Sequence, residues 1–203
     1  SASNLPAATD YGLQIRGQGA VGGTAAARDV RLENVRIAGN YRRAHLGIQR
    51  YSDASSIQMS GVQLGGALQN ASVGNGGTRS VLSSAAGFGK FFSSDQGGAL
   101  SLGDTVFLAS AGELNTLDIS IGGETNTLRV DATATSFFDA DGGERTDNFA
   151  IERGVQHATD SAALGGVVTW RAGNVYVTDD RSIQRGVDVA LAGETVNVQS
   201  GVY

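Results

Sequence analysis

Four apolar positions repeat at a fixed distance. Val30, Leu32, Val35 and Ile37 in DVRLENVRIAG return 27 residues on as Ile57, Met59, Val62 and Leu64 in SIQMSGVQLGG. Each copy reads as two short alternating strands, separated by two polar residues and closed by glycine. Alternation with a period of two sets the apolar residues on one face of a strand. Two strands this short cannot bury that face alone, so the next copy must lie against it. The pattern predicts a wound β-solenoid.

Composition agrees with short strands and tight turns. The chain holds 30 glycines, a single proline (Pro6) and only 6% aromatic residues. The glycines lack a three-residue period, which excludes collagen, and few long helices are expected. Formal charge is −5, scattered rather than blocked, so no basic face is offered to nucleic acid. Without cysteine there is no disulfide, thiolate zinc site or cysteine nucleophile. The chain has no apolar run of about 18 residues, the length that predicts a transmembrane helix. It starts at Ser1 with no signal peptide and reads as a processed or excised chain.

Further strands fit the same reading. Leu13 and Ile15 in YGLQIRGQG stand 22 residues before Val35 and Ile37 and are expected to stack on them with a different loop length. Leu46 and Ile48 form a third strand per repeat, as a three-faced solenoid needs. Residues Ala67 to Gly98, rich in Gly, Ser and Ala, read as a loop or excursion. Leu117, Ile119 and Ile121, then Leu128 and Val130, supply strands around the turn GGETN.

A second repeat follows. LGDTVFLASAGEL (102–114) resembles AGETVNVQSGVY (192–203) and, more faintly, GGVVTWRAGNVY (165–176). Their strands are Val106/Leu108, Val168/Trp170 and Val196/Val198, and Gly166 and Gly193 are again 27 apart. This alignment puts Trp170 at an inward strand position, hence in the core. Upstream, IERGVQHA (151–158) matches IQRGVDVA (183–190) at five positions. Ile183, Val187 and Leu191 recur every four residues as one amphipathic helical stripe, with Asp180 or Ser182 as N-cap. The expected organisation is one domain or segment over 1–203, with a possible subdivision near 70–98.

SIQRGVDVALAGETVNVQSGVY (182–203) resembles the opening rung of right-handed parallel β-helix proteins, the pectin-lyase-like group. The shared pattern is S-I-Q, an apolar helix, then A-G-E/D-T-V-x-V-x-x-G-x-Y. In that family a rung of the form L-x-I-x-G-x-G comes next; here it stands at the other end, as Leu13 to Gly19. Reading Tyr203 on into Ser1 restores the family order, so the chain resembles one period of something that continues. The resemblance implies an all-β fold, a right-handed parallel β-helix (solenoid) with one or two short helices. Such folds are common in exported polysaccharide-active enzymes, adhesins and giant bacterial surface proteins. Both end rungs would present unpaired backbone groups, a template for edge-to-edge pairing, with no polar cap. Candidate self-association residues are therefore Leu13 and Ile15 at one end and Val196, Val198 and Tyr203 at the other.

Chemistry-bearing clusters are sparse. FDADGGERTD (138–147) sets Asp139, Asp141, Glu144 and Asp147 around two glycines. Calcium takes roughly six to eight oxygens, and glycine permits the sharp turn, so these four are the candidate calcium ligands, set against a solvated acidic turn. NYRRAH (40–45) is the densest mixed polar cluster, and Arg42 or Arg43 with Asp29, Glu33 and Asp53 could serve sugar cleavage. Those acids do not keep the 27-residue spacing, and arginines at such a turn are usually just solvated. His45 and His157 form no H-x-x-x-H pair, and no G-x-S-x-G or phosphate loop occurs. The pairs Gly22-Gly23 and Gly65-Gly66 read as solenoid corners. Asn70-Ala-Ser72 fits a sequon, and the phenylalanines of GFGKFF (87–92) read as a plug on the solenoid wall.

The expected function is structural: an extracellular or cell-surface β-solenoid segment, adhesive or filament-forming, joining head to tail with like units. The runner-up is a polysaccharide lyase or hydrolase of this fold, and a third reading is a non-catalytic carbohydrate-binding module. No cofactor beyond possible calcium is expected. Expected partners are like units and extracellular polysaccharide, and neither nucleic acid nor a membrane span.

Overall fold

The computed structural model describes residues 11–16, 29–38, 44–49, 56–65, 80–84, 99–108, 117–121, 129–139 and 141–203. In chain order the strands are β1 (Tyr11–Arg16), β2 (Asp29–Glu33), β3 (Arg36–Ile37), β4 (Ala44–Gln49), β5 (Ser56–Ser60), β6 (Gln63–Gly65), β7 (Ser80–Ser84), β8 (Ala99–Ser101), β9 (Val106–Leu108), β10 (Leu117–Ile121), β11 (Arg129–Asp131) and β12 (Ser136–Phe138). Then come α1 (Asn148–Arg153), β13 (Val155–Gln156), β14 (Val167–Thr169), β15 (Asn174–Val177), α2 (Ile183–Val189) and β16 (Thr195–Val198). The described chain is mostly strand with two short helices.

The strands are dealt in rotation to three sheets. One sheet takes β1-β4-β7-β10-β13, a second β2-β5-β8-β11-β14 and a third β3-β6-β9-β12. Every pairing within them is parallel. β15 and β16 form a separate parallel pair.

The 27-residue repeat is strand pairing. Val30 stands opposite Ile57, Leu32 opposite Met59 and Ile37 opposite Leu64. Between the two strands of each copy, the chain bends through a left-handed residue, Asn34 (φ 54°) or Gly61 (φ 61°). The two turns interlock: Asn34 N donates to Ser60 O at 2.9 Å and Gln63 N to Val35 O at 2.8 Å. The Asp104 carboxylate accepts from Gly61 N on the next level, and that bond holds its pKa below the usual aspartate value.

Four expectations are corrected. Leu13 and Ile15 do not stack on Val35 and Ile37; they pair with Leu46 and Ile48. β1 and β4 are both six residues long, whereas β3 has two, so equal lengths complete more of the ladder. Inside the expected loop, Ser80–Ser84 is a strand, with Leu82 opposite Leu46 and Ile119. Val81 and Leu82 stand side by side among serines and carry no alternation, and the register comes from the two neighbouring strands. Val196 and Val198 pair with Val175 and Val177, not with Val168 and Trp170. The equivalent turns are those at Gly173 (φ 72°) and Gly193 (φ 90°), each of which needs glycine's left-handed freedom. Finally, the matched segments at 151 and 183 fold differently. Gly154 caps α1, and its carbonyl accepts from Asp118 N (2.7 Å), drawing Val155 into the first sheet as β13. α2 runs on through Gly186 and packs on β15 and β16.

The core lies between the three sheets. Leu46, Ile119 and Val155 line it from the first, Met59, Val130 and Val168 from the second, and Leu64, Phe107 and Phe137 from the third. Phe107 and Phe137 occupy paired positions and stack at 5.2 Å and 11°. Past β12 the chain folds back: Glu144 bridges Phe138 antiparallel and Arg145 N donates to Phe137 O at 2.8 Å. That return covers the β12 edge, and the β15–β16 pair starts beyond it. Trp170 is buried, stacked on Tyr176 at 5.3 Å, with Phe149 edge-on to Tyr176 at 5.6 Å. It sits in the bend after β14 rather than in a strand.

Candidate assembly surface

Burial changes systematically along the ladders. In the first set of strands Leu13, Val30, Leu32 and Val35 are only partly buried, although Ile37 is buried. One level on, Leu46, Met59, Val62 and Leu64 are fully buried. Among the described residues β1, β2 and β3 are the edge strands of their sheets, each with one partner. Among the described residues no strand lies along their outer edge, and the apolar side chains beside it are half covered.

Apolar side chains also stand exposed around β16. Among the described residues β16 pairs with β15 alone. The stripe Ile183, Val187 and Leu191 is 39%, 54% and 56% exposed, and Val198 is 38% exposed. In the matching segment one level back, Ile151 is 6% and Val155 2% exposed. Sequence periodicity finds the stripe but does not say what covers it. Tyr203 stands half exposed here, its hydroxyl donating to Gln199 O.

Polar contacts tie these segments together. Arg153 bridges Asp179 at 2.5 Å and reaches Gln199 Oε1 at 2.9 Å. Asp180 accepts from Thr178 Oγ1 at 2.6 Å, which lowers its pKa. It does not cap α2; Ser182 holds the N-cap position without a side-chain bond. Arg185 ties α2 to Ala158 O at 2.8 Å, and Arg181 pairs with Asp160 at 2.9 Å. Burial pushes the Asp160 carboxyl up despite a 2.7 Å bond from His157 N.

Beneath lies a buried triad that the sequence does not announce. His157 Nδ1 accepts from Val168 N at 3.0 Å, so Nε2 carries the hydrogen and donates to Glu152 Oε1 at 3.2 Å. Thr159 Oγ1 donates to the same oxygen at 2.9 Å. All three side chains are buried. A second buried pair joins Arg145 to Asp118 at 2.6 Å.

The four acidic residues proposed for calcium are engaged separately. Asp139 pairs with Arg145 at 3.0 Å, Asp141 accepts from Gly143 N at 3.0 Å, and Asp147 caps α1 through Phe149 N at 2.9 Å. Glu144 enters through its backbone bridge to Phe138 and has an exposed side chain. Among the described residues no three His, Asp or Glu side chains are grouped to hold a metal. Glu33 pairs with Arg31 at 2.6 Å on the surface, and His45 is buried on β4. Residues 40–43, Asp53, Gly22-Gly23, Gly66, Asn70 to Ser72, the phenylalanines of 87–92 and Leu128 lie outside the described residues, and the side chain of Ile15 is not described.

Among the described residues no helix is long and apolar enough to cross a membrane. No family model matches the chain, and neither the curated proteins nor the solved structures yield a match.

Proposed function

We propose that this chain is a structural segment of a right-handed parallel β-helix. It belongs to an extracellular or cell-surface protein or filament, adhesive or scaffolding, and joins like units at both ends. Three parallel ladders filled in rotation support the winding, and right-handed crossovers between parallel strands are the physical rule. One observation carries the assembly reading: Ile151 is buried, while Ile183, Val187 and Leu191 of the matching segment stand open. A further unit of the same kind would cover them likewise.

Sedimentation velocity over a wide concentration range tests this. The wild type is expected to associate, and Val187→Asp, at a position already exposed, is expected to keep its circular dichroism but remain monomeric. A wild type that is strictly monomeric at high concentration would overturn the reading.

A further inference from the structure

We infer that the partner at β16 is a second copy of this chain presenting β3, laid parallel with Val35, Arg36 and Ile37 opposite Val196, Asn197 and Val198. The inference rests on the proposal that like units join end to end.

Five short strands share one local design. β3, β6, β9, β15 and β16 each follow a left-handed residue, at Asn34, Gly61, Gly103, Gly173 and Gly193 respectively. Each reads as valine, a variable residue, then an aliphatic one: VRI (35–37), VQL (62–64), VFL (106–108), VYV (175–177) and VNV (196–198). Where two of them meet in the structure, the pattern stays in register. Arg36 pairs with Gln63 and Ile37 with Leu64, while Val175 pairs with Val196 and Val177 with Val198. Among the described residues β3 is an edge strand of the third sheet, with β6 as its one partner, and β15 and β16 partner only each other in their separate pair.

The side chains suit this match. Val35 is half-buried and Val198 exposed, so placing the two strands together removes apolar surface at both. Asn197 uses its amide hydrogens on Asn174 Oδ1 at 3.0 Å and on the carbonyls of Val175 and Thr195 at 3.3 Å. Its Oδ1 is an acceptor, and the exposed Arg36 only donates. The contact is heterologous, so repetition produces a rod rather than a closed dimer.

The chain lacks cysteine, so introduced thiols report cleanly. Paired positions in neighbouring strands lie within disulfide reach. Single variants N197C and R36C, mixed and oxidised, are expected to give disulfide heterodimers at least about tenfold faster than N197C mixed with R31C on β2. As a second readout, R36E is expected to weaken association seen by sedimentation while R36K retains it. If the wild type associates but N197C bonds R31C preferentially, or bonds neither, the register inference fails and the assembly reading stands. If the wild type stays monomeric and no pair cross-links, both fail.

Discussion

Gly186, in the middle of α2, lies so close to Val177 on β15 that a methyl group on its α-carbon would overlap Val177 Cγ2 and come within 3.1 Å of Val196 Cγ1. Helix propensity alone would favour alanine there by about 1 kcal/mol. Overpacking works the other way and costs about 1–3 kcal/mol. Gly186→Ala is therefore expected to lower the urea midpoint of the unit that carries Trp170, whose fluorescence gives a convenient signal. An unchanged or raised midpoint would show that α2 does not sit against this pair.

Arg145 and Asp118 form a pair whose side chains are 11% and 3% exposed. Removing one member of a buried pair strands the other's charge and costs about 3–5 kcal/mol. Arg145→Met is expected to destabilise on that scale, and adding Asp118→Asn to recover much of the loss. A single-variant loss below about 1 kcal/mol, the value of a surface pair, would count against the burial described.

The left-handed turns differ in what they tolerate. A methyl group on Gly103 (φ 51°) would strike the carbonyl oxygen of Met59 on the level below. Backbone there cannot yield, so Gly103→Ala is expected to cost about 1–3 kcal/mol or more. Asn34 already adopts φ 54° with a side chain, and Asn34→Gly is expected to shift stability by no more than about 1 kcal/mol. Chemical denaturation of the two variants side by side checks the ranking. Equal losses would contradict it.

Acid should act in opposite senses on different aspartates. Thr133 hydrogen bonds lower the Asp131 pKa and the Thr178 hydroxyl lowers that of Asp180. Each contributes stability above the ordinary aspartate range, and loses it as pH falls through the depressed folded value. Asp160 is raised by burial, so its folded state holds the proton more tightly than the unfolded chain. Its contribution is fully present below the unfolded value of about 3.9 and is lost as pH rises through the folded one. Relative to Asp160→Asn, the wild type is expected to gain stability on acidification from neutrality towards about pH 4. Urea midpoints at several pH values measure this. A difference that stays constant or runs the other way would refute the assigned burial.

Much of the architecture is legible in the residues, because the period of two and the 27-residue spacing both survive in Val30 to Leu64. The register of β2 on β5 and of β3 on β6 follows directly. What fails is informative. Leu13 and Ile15 carry the right alternation, but alternation does not say which sheet a strand joins. The serine-rich β7 has almost no pattern of its own. IERGVQHA and IQRGVDVA are near copies, yet one ends in a strand because the Asp118 amide is there to take the Gly154 carbonyl. The partners of Arg145, His157 and Arg185 are set by tertiary approach, which no local spacing encodes. The four-residue stripe at Ile183 is visible, but its exposure depends on what lies above it.

Fibre diffraction from concentrated, aligned material asks most directly whether the levels go on adding beyond a single chain. Rods with a meridional reflection at about 4.8 Å, the spacing between neighbouring strands, are the expected result, since parallel strands of successive units stack along the rod. Discrete particles the size of one chain, or rods without that spacing along their axis, would contradict the account.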